Sequence, residues 1–128
     1  MLLGLRTATY PVRDLAASKK WFASVLHAEP YFDEPFYVGF RVAGYELGLV
    51  PAGDGESDQI TYWGVADADA ALQCLIDAGA EPHSPATDVG DGIRLGAVRE
   101  PSGNLFGVIA NPRFDLSEVS VESPGPGR

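Results

Sequence analysis

The sequence predicts an α+β fold in which one β-α-β-β-β unit of about 50 residues occurs twice in tandem. Three blocks recur in the same order, residues 12–14 as 65–67, 28–30 as 80–82 and 44–50 as 103–109. In both halves a short apolar strand is followed by an aspartate that suits a helix N-terminus, and then by a helix and three short strand patterns. A duplicated supersecondary unit leaves this signature.

The chain has 128 residues, a length typical of one domain. We expect a single domain over residues 1–114, with repeats at about 4–51 and 59–112. Hydrophobic content is low beyond residue 115, so residues 115–128 are expected to form a mobile tail.

The charge balance excludes some partners. The formal net charge is −9, which repels phosphate backbones and anionic lipids, so no nucleic acid or membrane partner is expected. No run approaches the ~20 apolar residues of a membrane span. The single cysteine, Cys74, has no partner in the chain, and no basic and apolar leader is evident at the N-terminus, so a cytoplasmic location is expected.

The first unit begins with a strand at 5–12. Asp14 caps a helix that runs to about His27, with an apolar stripe of Leu15, Trp21, Phe22, Val25 and Leu26. Strands are predicted near 31–32, 36–42 and 45–50. In the strand at 36–42, Phe36, Val38, Phe40 and Val42 alternate and are expected to form its core face.

The second unit follows a polar, glycine-rich linker at 51–58. It has a strand at 60–65, a helix capped by Asp67, and Gly79 where a left-handed residue ends that helix. Cys74 is expected to be packed beside the apolar stripe of this helix. A short edge strand at 82–85 and a hairpin of 93–99 with 105–109 complete the unit.

This order, together with two motifs, resembles the vicinal oxygen chelate superfamily of glyoxalase I, extradiol dioxygenases and bleomycin-resistance proteins. The motifs are Tyr10-Pro11-Val12-Arg13-Asp14-Leu15 and Glu100-Pro101-Ser102-Gly103-Asn104. The resemblance implies two sheets, one from each repeat, that curl into a partly open cup with the helices outside. It also implies a homodimer, and exposed sheet edges and an apolar opening favour association.

Metal enzymes of this superfamily take one ligand from the first and last strand of each repeat. The corresponding positions here are Thr7, Gly48, Ile60 and Gly107, none of which offers a side-chain ligand to a divalent ion. We therefore expect no metal and no cofactor. Glycine in place of two ligands is expected to leave open volume in the floor of the cup. The alternative is that Gly48 and Gly107 serve strand curvature or a bulge.

Alternation along the strands places a set of candidate ligand-binding residues on the cup face, namely Thr7, Thr9, Tyr37, Arg41, Glu46, Gly48, Tyr62, Leu105 and Gly107. A tyrosine can stack on a flat ligand and donate one hydrogen bond. Glu46 is the candidate polar anchor, with Arg41 as its possible partner across the hairpin. No catalytic residue is assigned.

These observations favour a glyoxalase/bleomycin-resistance-like protein that binds a small aromatic or amphipathic organic molecule without metal. Sequestration of a drug or toxin, as in antibiotic resistance, is one such role. A lyase, isomerase or dioxygenase of the same superfamily and a non-catalytic interaction module remain as alternatives.

Overall fold

The computed structural model describes residues 1–52, 58–115 and 117. Its first half contains β1 (Leu5–Val12), α1 (Leu15–Leu26), β2 (Phe32–Glu34), β3 (Tyr37–Val42) and β4 (Tyr45–Pro51). The second half repeats the order with β5 (Ile60–Gly64), α2 (Ala68–Asp77), β6 (Glu81–Asp88), β7 (Arg94–Arg99) and β8 (Leu105–Ala110). The predicted α+β class and the duplicated unit are confirmed.

The ten elements form one curled, open sheet with two helices on one side. The strand order is β2-β3-β4-β1-β5-β8-β7-β6. In each half the first strand pairs with the fourth in parallel, and β1 pairs with β5 antiparallel across the centre. The expectation of two sheets is therefore wrong, because the β1–β5 pairing joins the two halves into a single sheet. We call the side without helices the cup face.

Each helix covers its own apolar cluster on the other side of the sheet. Val38, Phe40 and Leu49 are buried beneath α1, against residues that include Phe22 and Leu26. The buried cluster between α2 and the sheet contains Ala68, Ala71 and Leu72 of the helix with Val65, Val98 and Val108. The side of the sheet opposite the helices is therefore left for other uses.

The helix ends follow the predicted capping chemistry. The Asp14 carboxylate accepts a hydrogen bond from the Ala17 amide at 3.0 Å, and Asp67 accepts one from the Ala70 amide at 3.0 Å. Gly79 has a φ of 112°, as the end of α2 requires, because L side chains disfavour that conformation.

Several expected core positions are exposed instead. Trp21 and Val25 on α1 are 60% and 51% exposed, and Phe36 is 66% exposed just before β3. Val42 and Cys74 are also exposed. The reason is that α1 is covered on one side only, and only its narrow face formed by Leu15, Phe22 and Leu26 reaches the sheet.

Element boundaries differ from prediction by a few residues. Strand β6 is longer than expected and β2 is shifted toward Glu34. Residues 53–57 of the expected linker and most of the expected tail lie outside the described residues. Within the described chain, neither helix has the length and apolar character needed to cross a membrane.

Candidate functional site

Strand registers bring most of the predicted residues into two rows on the cup face. Thr7 lies opposite Glu46 on one side and Tyr62 on the other, and Tyr62 lies opposite Gly107. In the next row Thr9 lies between Gly48 and Ile60. The β1–β5 pairing at the centre of the sheet thus places residues of both repeats side by side.

Glu46 is the centre of a polar cluster in the first half. Its Oε2 atom accepts a hydrogen bond from the Tyr37 hydroxyl at 2.7 Å and another from the Tyr31 hydroxyl at 2.8 Å. Arg41 faces Glu46 across the β3–β4 pair, and its guanidinium lies 4.6 Å from the centre of the Tyr31 ring. We call Tyr31, Tyr37, Arg41 and Glu46 the Glu46 cluster.

The cluster holds both tyrosines in their neutral form. Burial raises the pKa of Tyr37 above its ordinary value, and the negative charge of Glu46 and the hydrogen bond to it raise that pKa further. The same causes, led by burial, raise the pKa of Tyr31, while Arg41 opposes them in part. Both phenols therefore act as donors toward the carboxylate.

Tyrosine rings fill the space above the two glycines. A Cβ at position 48 would collide with the Tyr37 hydroxyl and lie 2.6 Å from its Cζ atom. A Cβ at Gly107 would lie 2.5 Å from Cδ1 of Tyr62. The expectation of open volume here is wrong, and neither glycine has a positive φ, so a left-handed backbone is not the reason for either glycine.

Tyr37 and Tyr62 come from opposite halves of the chain and lie on the same face of the sheet. The phenols of Tyr37 and Tyr62 interact electrostatically, and burial raises the pKa of Tyr62. Among the described residues no hydrogen bond to the Tyr62 hydroxyl is found, and no buried side-chain oxygen or nitrogen lacks a partner, so this hydroxyl is reached by solvent. Thr9 donates to the Ile60 carbonyl at 3.3 Å. The Tyr62 hydroxyl is thus a group that a bound molecule can satisfy.

An aromatic rim borders the Glu46 cluster. The Phe32 ring lies 5.9 Å from the Tyr37 ring and 6.0 Å from the Phe36 ring, both in edge-on arrangements. Phe32 is 39% exposed and Phe36 is 66% exposed. Apolar rings with this much exposure beside a polar cluster are suited to contact with a flat organic molecule.

The cup face does not provide a metal site of the kind known in the superfamily. The expected ligand positions carry Thr7, Gly48, Ile60 and Gly107. The register places these positions in two different rows. One row contains Thr7, Glu46, Tyr62 and Gly107 and the other contains Thr9, Gly48 and Ile60, so the two rows together offer one carboxylate. The described residues contain no group of three or more histidine, cysteine or acidic side chains placed to hold an ion. The donor chemistry does not fit a divalent metal.

Two surface depressions lie outside the Glu46 cluster. One, of about 390 Å³, is at the end of β5 and β8 and is lined by Asp58, Gln59, Thr61, Arg99, Gly103, Asn104 and Leu105. Leu105, a predicted cup residue, is thus part of this depression and is remote from the Glu46 cluster. The other, of about 500 Å³, lies on the outer side of α1.

Sequence reasoning missed Tyr31 and Phe32 as site residues. The sequence predicts a strand of only two residues at 31–32, and two residues are too few for alternation to indicate which side chain faces the cup. The structure brings Tyr31 to Glu46 through its position directly before β2. The available signal was the density of aromatic residues between 31 and 45.

Two repeated β-α-β-β-β units that share one curled sheet, with the candidate site on the face opposite the helices, define the class of this protein. A family model of the Glyoxalase/Bleomycin resistance protein/Dioxygenase superfamily matches residues 4–108. The chain belongs to this superfamily. No curated protein matches the chain.

Solved structures share this fold at low sequence identity. Streptomyces coelicolor methylmalonyl-CoA epimerase in complex with 2-nitronate-propionyl-CoA is 15% identical, with a TM-score of 0.73 over 88% of this chain and 99% of that chain. A superfamily member from Vibrio splendidus is 19% identical, with a TM-score of 0.65 over 84% of this chain and 99% of that one. The Mn(II)-bound glyoxalase from Novosphingobium aromaticivorans is 22% identical, with a TM-score of 0.69 over 86% of this chain and 39% of that one. These similarities establish the fold alone.

Proposed function

We propose that this protein binds a small aromatic or amphipathic organic molecule on the cup face, without a metal. The observation that carries the proposal is the juxtaposition of the Glu46 cluster with the exposed rings of Phe32 and Phe36. Apolar walls with a few convergent polar groups are typical of small-molecule sites. The metal-free character rests on the donor set at the four superfamily ligand positions.

Binding is favoured over proton-transfer chemistry by the state of Glu46. Its Oε2 atom already accepts two hydrogen bonds from neutral phenols. A ligand hydroxyl that replaces one of these phenols would restore the same hydrogen bond, so the arrangement suits Glu46 to anchor a donor. Sequestration of a toxic or antibiotic compound is the biological role that we propose for such a binding protein.

We also propose that the protein is a cytoplasmic homodimer. The dimer is supported by exposed apolar side chains at several places on the surface, among them Leu3 and Val89. Pairing of edge strands between two copies is disfavoured. Of the two edge strands, β6 contains Pro82 and Pro85, and β2 has only three residues. The single Cys74 without a partner supports a reducing compartment.

The test of the proposed function is a fluorescence titration of the full chain with 2-naphthol, a flat aromatic probe. We expect saturable binding that weakens several-fold in Phe32→Ala, because the variant removes one wall of the site. Trp21→Ala is the matched control, since it removes an exposed aromatic ring from α1 and should leave binding unchanged. If the wild type does not bind, or if both variants weaken binding equally, the proposal is wrong.

A further inference from the structure

The Tyr37 ring lies over glycine backbone and is held at its hydroxyl and its edge by neighbouring side chains. Beneath the ring is backbone without side chains, since Gly48 and Gly39 face the same side of the sheet. The phenol donates to Oε2 of Glu46 at 2.7 Å. Beside it lie the Phe32 ring, at 5.9 Å, and the phenol of Tyr62.

We propose that the space above Gly48 is a subsite for a flat aromatic ring that carries a hydrogen-bond donor, such as a phenol, and that Tyr37 leaves it when this ring binds. The inference rests on the proposed function, because it names the ligand class and the specificity-determining residue of the same cup face. The bound ring replaces the Tyr37 ring and repeats its contacts with Gly48 and Glu46.

Glycine is needed at position 48 because a ring lies directly above it, and not because of its backbone conformation. Its φ is not positive, so the backbone accepts any L residue there. A side chain at that position would exclude any ring from the surface of the sheet. Gly39, on the neighbouring strand, has the same effect, since a Cβ there would lie 2.9 Å from Oε2 of Glu46 and 3.0 Å from the Tyr31 ring. Two adjacent glycines thus create a flat floor as wide as a ring.

Tyr37 is well placed to leave this floor. It is the first residue of β3 and follows the exposed Phe36 at the rim of the cup. Outward rotation of its side chain opens the floor to solvent without disturbing the apolar cluster beneath α1, which contains Val38 and Phe40 but not Tyr37.

Displacement of Tyr37 sets the chemical requirement on the ligand. Once Tyr37 moves, Oε2 of Glu46 keeps the hydrogen bond from Tyr31 but loses the one from Tyr37. A carboxylate that loses a donor in a partly buried site is penalised, so a ligand that brings its own donor is favoured over one that does not. The Tyr62 hydroxyl, which has no hydrogen-bond partner among the described residues, gives the ligand a second polar contact.

The test compares two probes of nearly equal shape on the full chain, 2-naphthol and 2-methoxynaphthalene. Only 2-naphthol has a hydroxyl donor. We expect the wild type to bind 2-naphthol about tenfold more tightly or better, the difference typical of a hydrogen bond to a charged acceptor. Equal affinity for the two probes would overturn the proposed ligand class.

Three variants then locate the subsite. Tyr37→Ala should tighten 2-naphthol binding, because no side chain has to be displaced. In this background Gly48→Ala should weaken binding about tenfold by raising the floor. The matched control is Gly64→Ala on β5, whose Cβ would meet the flexible Arg6 side chain and no residue of the subsite, and it should leave binding unchanged. Tyr37→Phe keeps the ring and removes only the hydrogen bond to Glu46, so it should tighten binding to a smaller extent even if Tyr37→Ala does not fold.

The outcomes separate this inference from the proposed function. If 2-naphthol binds and depends on Phe32, but Tyr37→Phe and Tyr37→Ala do not tighten it, or Gly64→Ala weakens it as much as Gly48→Ala, the cup face is a binding site and the subsite is wrong. If neither the wild type nor the Tyr37 variants bind the probe, both proposals fail.

Discussion

Substitution of Gly48 by alanine tests the relation between this glycine and Tyr37 without any ligand. The new methyl group would coincide with the Tyr37 hydroxyl and lie 2.6 and 2.7 Å from two ring carbons. Contacts this short force the ring to move, which breaks its hydrogen bond to Glu46. The main cost is therefore the loss of a bond to a charged acceptor, about 1.5–3 kcal/mol.

Two effects reduce this cost. The Tyr31 hydrogen bond remains, so Glu46 is not left without a donor. Alanine in place of glycine also lowers the entropy of the unfolded chain, a gain of about 0.4–1 kcal/mol where φ is compatible. We therefore expect Gly48→Ala to lower the free energy of unfolding by about 1–2 kcal/mol.

A double-mutant cycle with Tyr37→Ala isolates the interaction. Once Tyr37 is absent, the methyl group at 48 meets no ring, so Gly48→Ala should be neutral or stabilising by up to about 1 kcal/mol. Urea unfolding of the four proteins, followed by circular dichroism, gives the coupling energy. A destabilisation of the same size in both backgrounds would show that Gly48 is required for strand geometry and not for the ring above it.

Three further outcomes follow from the site and the surface. The free energy of unfolding, measured by urea titration, should fall as pH rises above about 10. The tyrosines of the unfolded chain release protons there, whereas burial and Glu46 raise the pKa of Tyr31 and Tyr37 in the folded state. In Tyr37→Phe this fall should be shallower. Metal analysis of purified protein should find no stoichiometric divalent ion, and one equivalent of nickel, zinc, iron or manganese would refute the ligand assignment. Light scattering at micromolar concentration should give the mass of a dimer, and a monomer mass of 13.6 kDa would count against it.

Much of the cup face was predictable because side chains alternate strictly along a strand. Tyr37, Arg41 and Glu46 were placed on one face by counting, and the structure joins Tyr37 to Glu46 directly. Counting did not reveal that the Tyr37 ring lies across the neighbouring strand above Gly48. The length and direction of a side chain depend on rotamer and register, which sequence periodicity does not specify.

The limits of periodicity are also clear in α1. Apolar residues at Trp21 and Val25 have helical spacing relative to Leu26 and Phe22, yet both are exposed. Helical spacing of apolar residues predicts which residues share one side of a helix. It does not predict how much of that side the sheet covers. The spacing in the second helix predicts a stripe of Ala71, Leu72, Leu75 and Ile76. Ala71 and Leu72 are buried, and Leu75 and Ile76 pack against the same cluster.

The two duplicated halves differ in how deeply their helices are buried. None of the twelve residues of α1 is buried, while α2 buries three of its ten. The Glu46 cluster and the aromatic rim belong to the half with the loosely seated helix. Segments with few buried apolar contacts open locally at low free-energy cost, so slow amide hydrogen exchange should concentrate in the second repeat. The repeat that carries the Glu46 cluster would then be the one in which local rearrangement costs least, and the second repeat would be its rigid support.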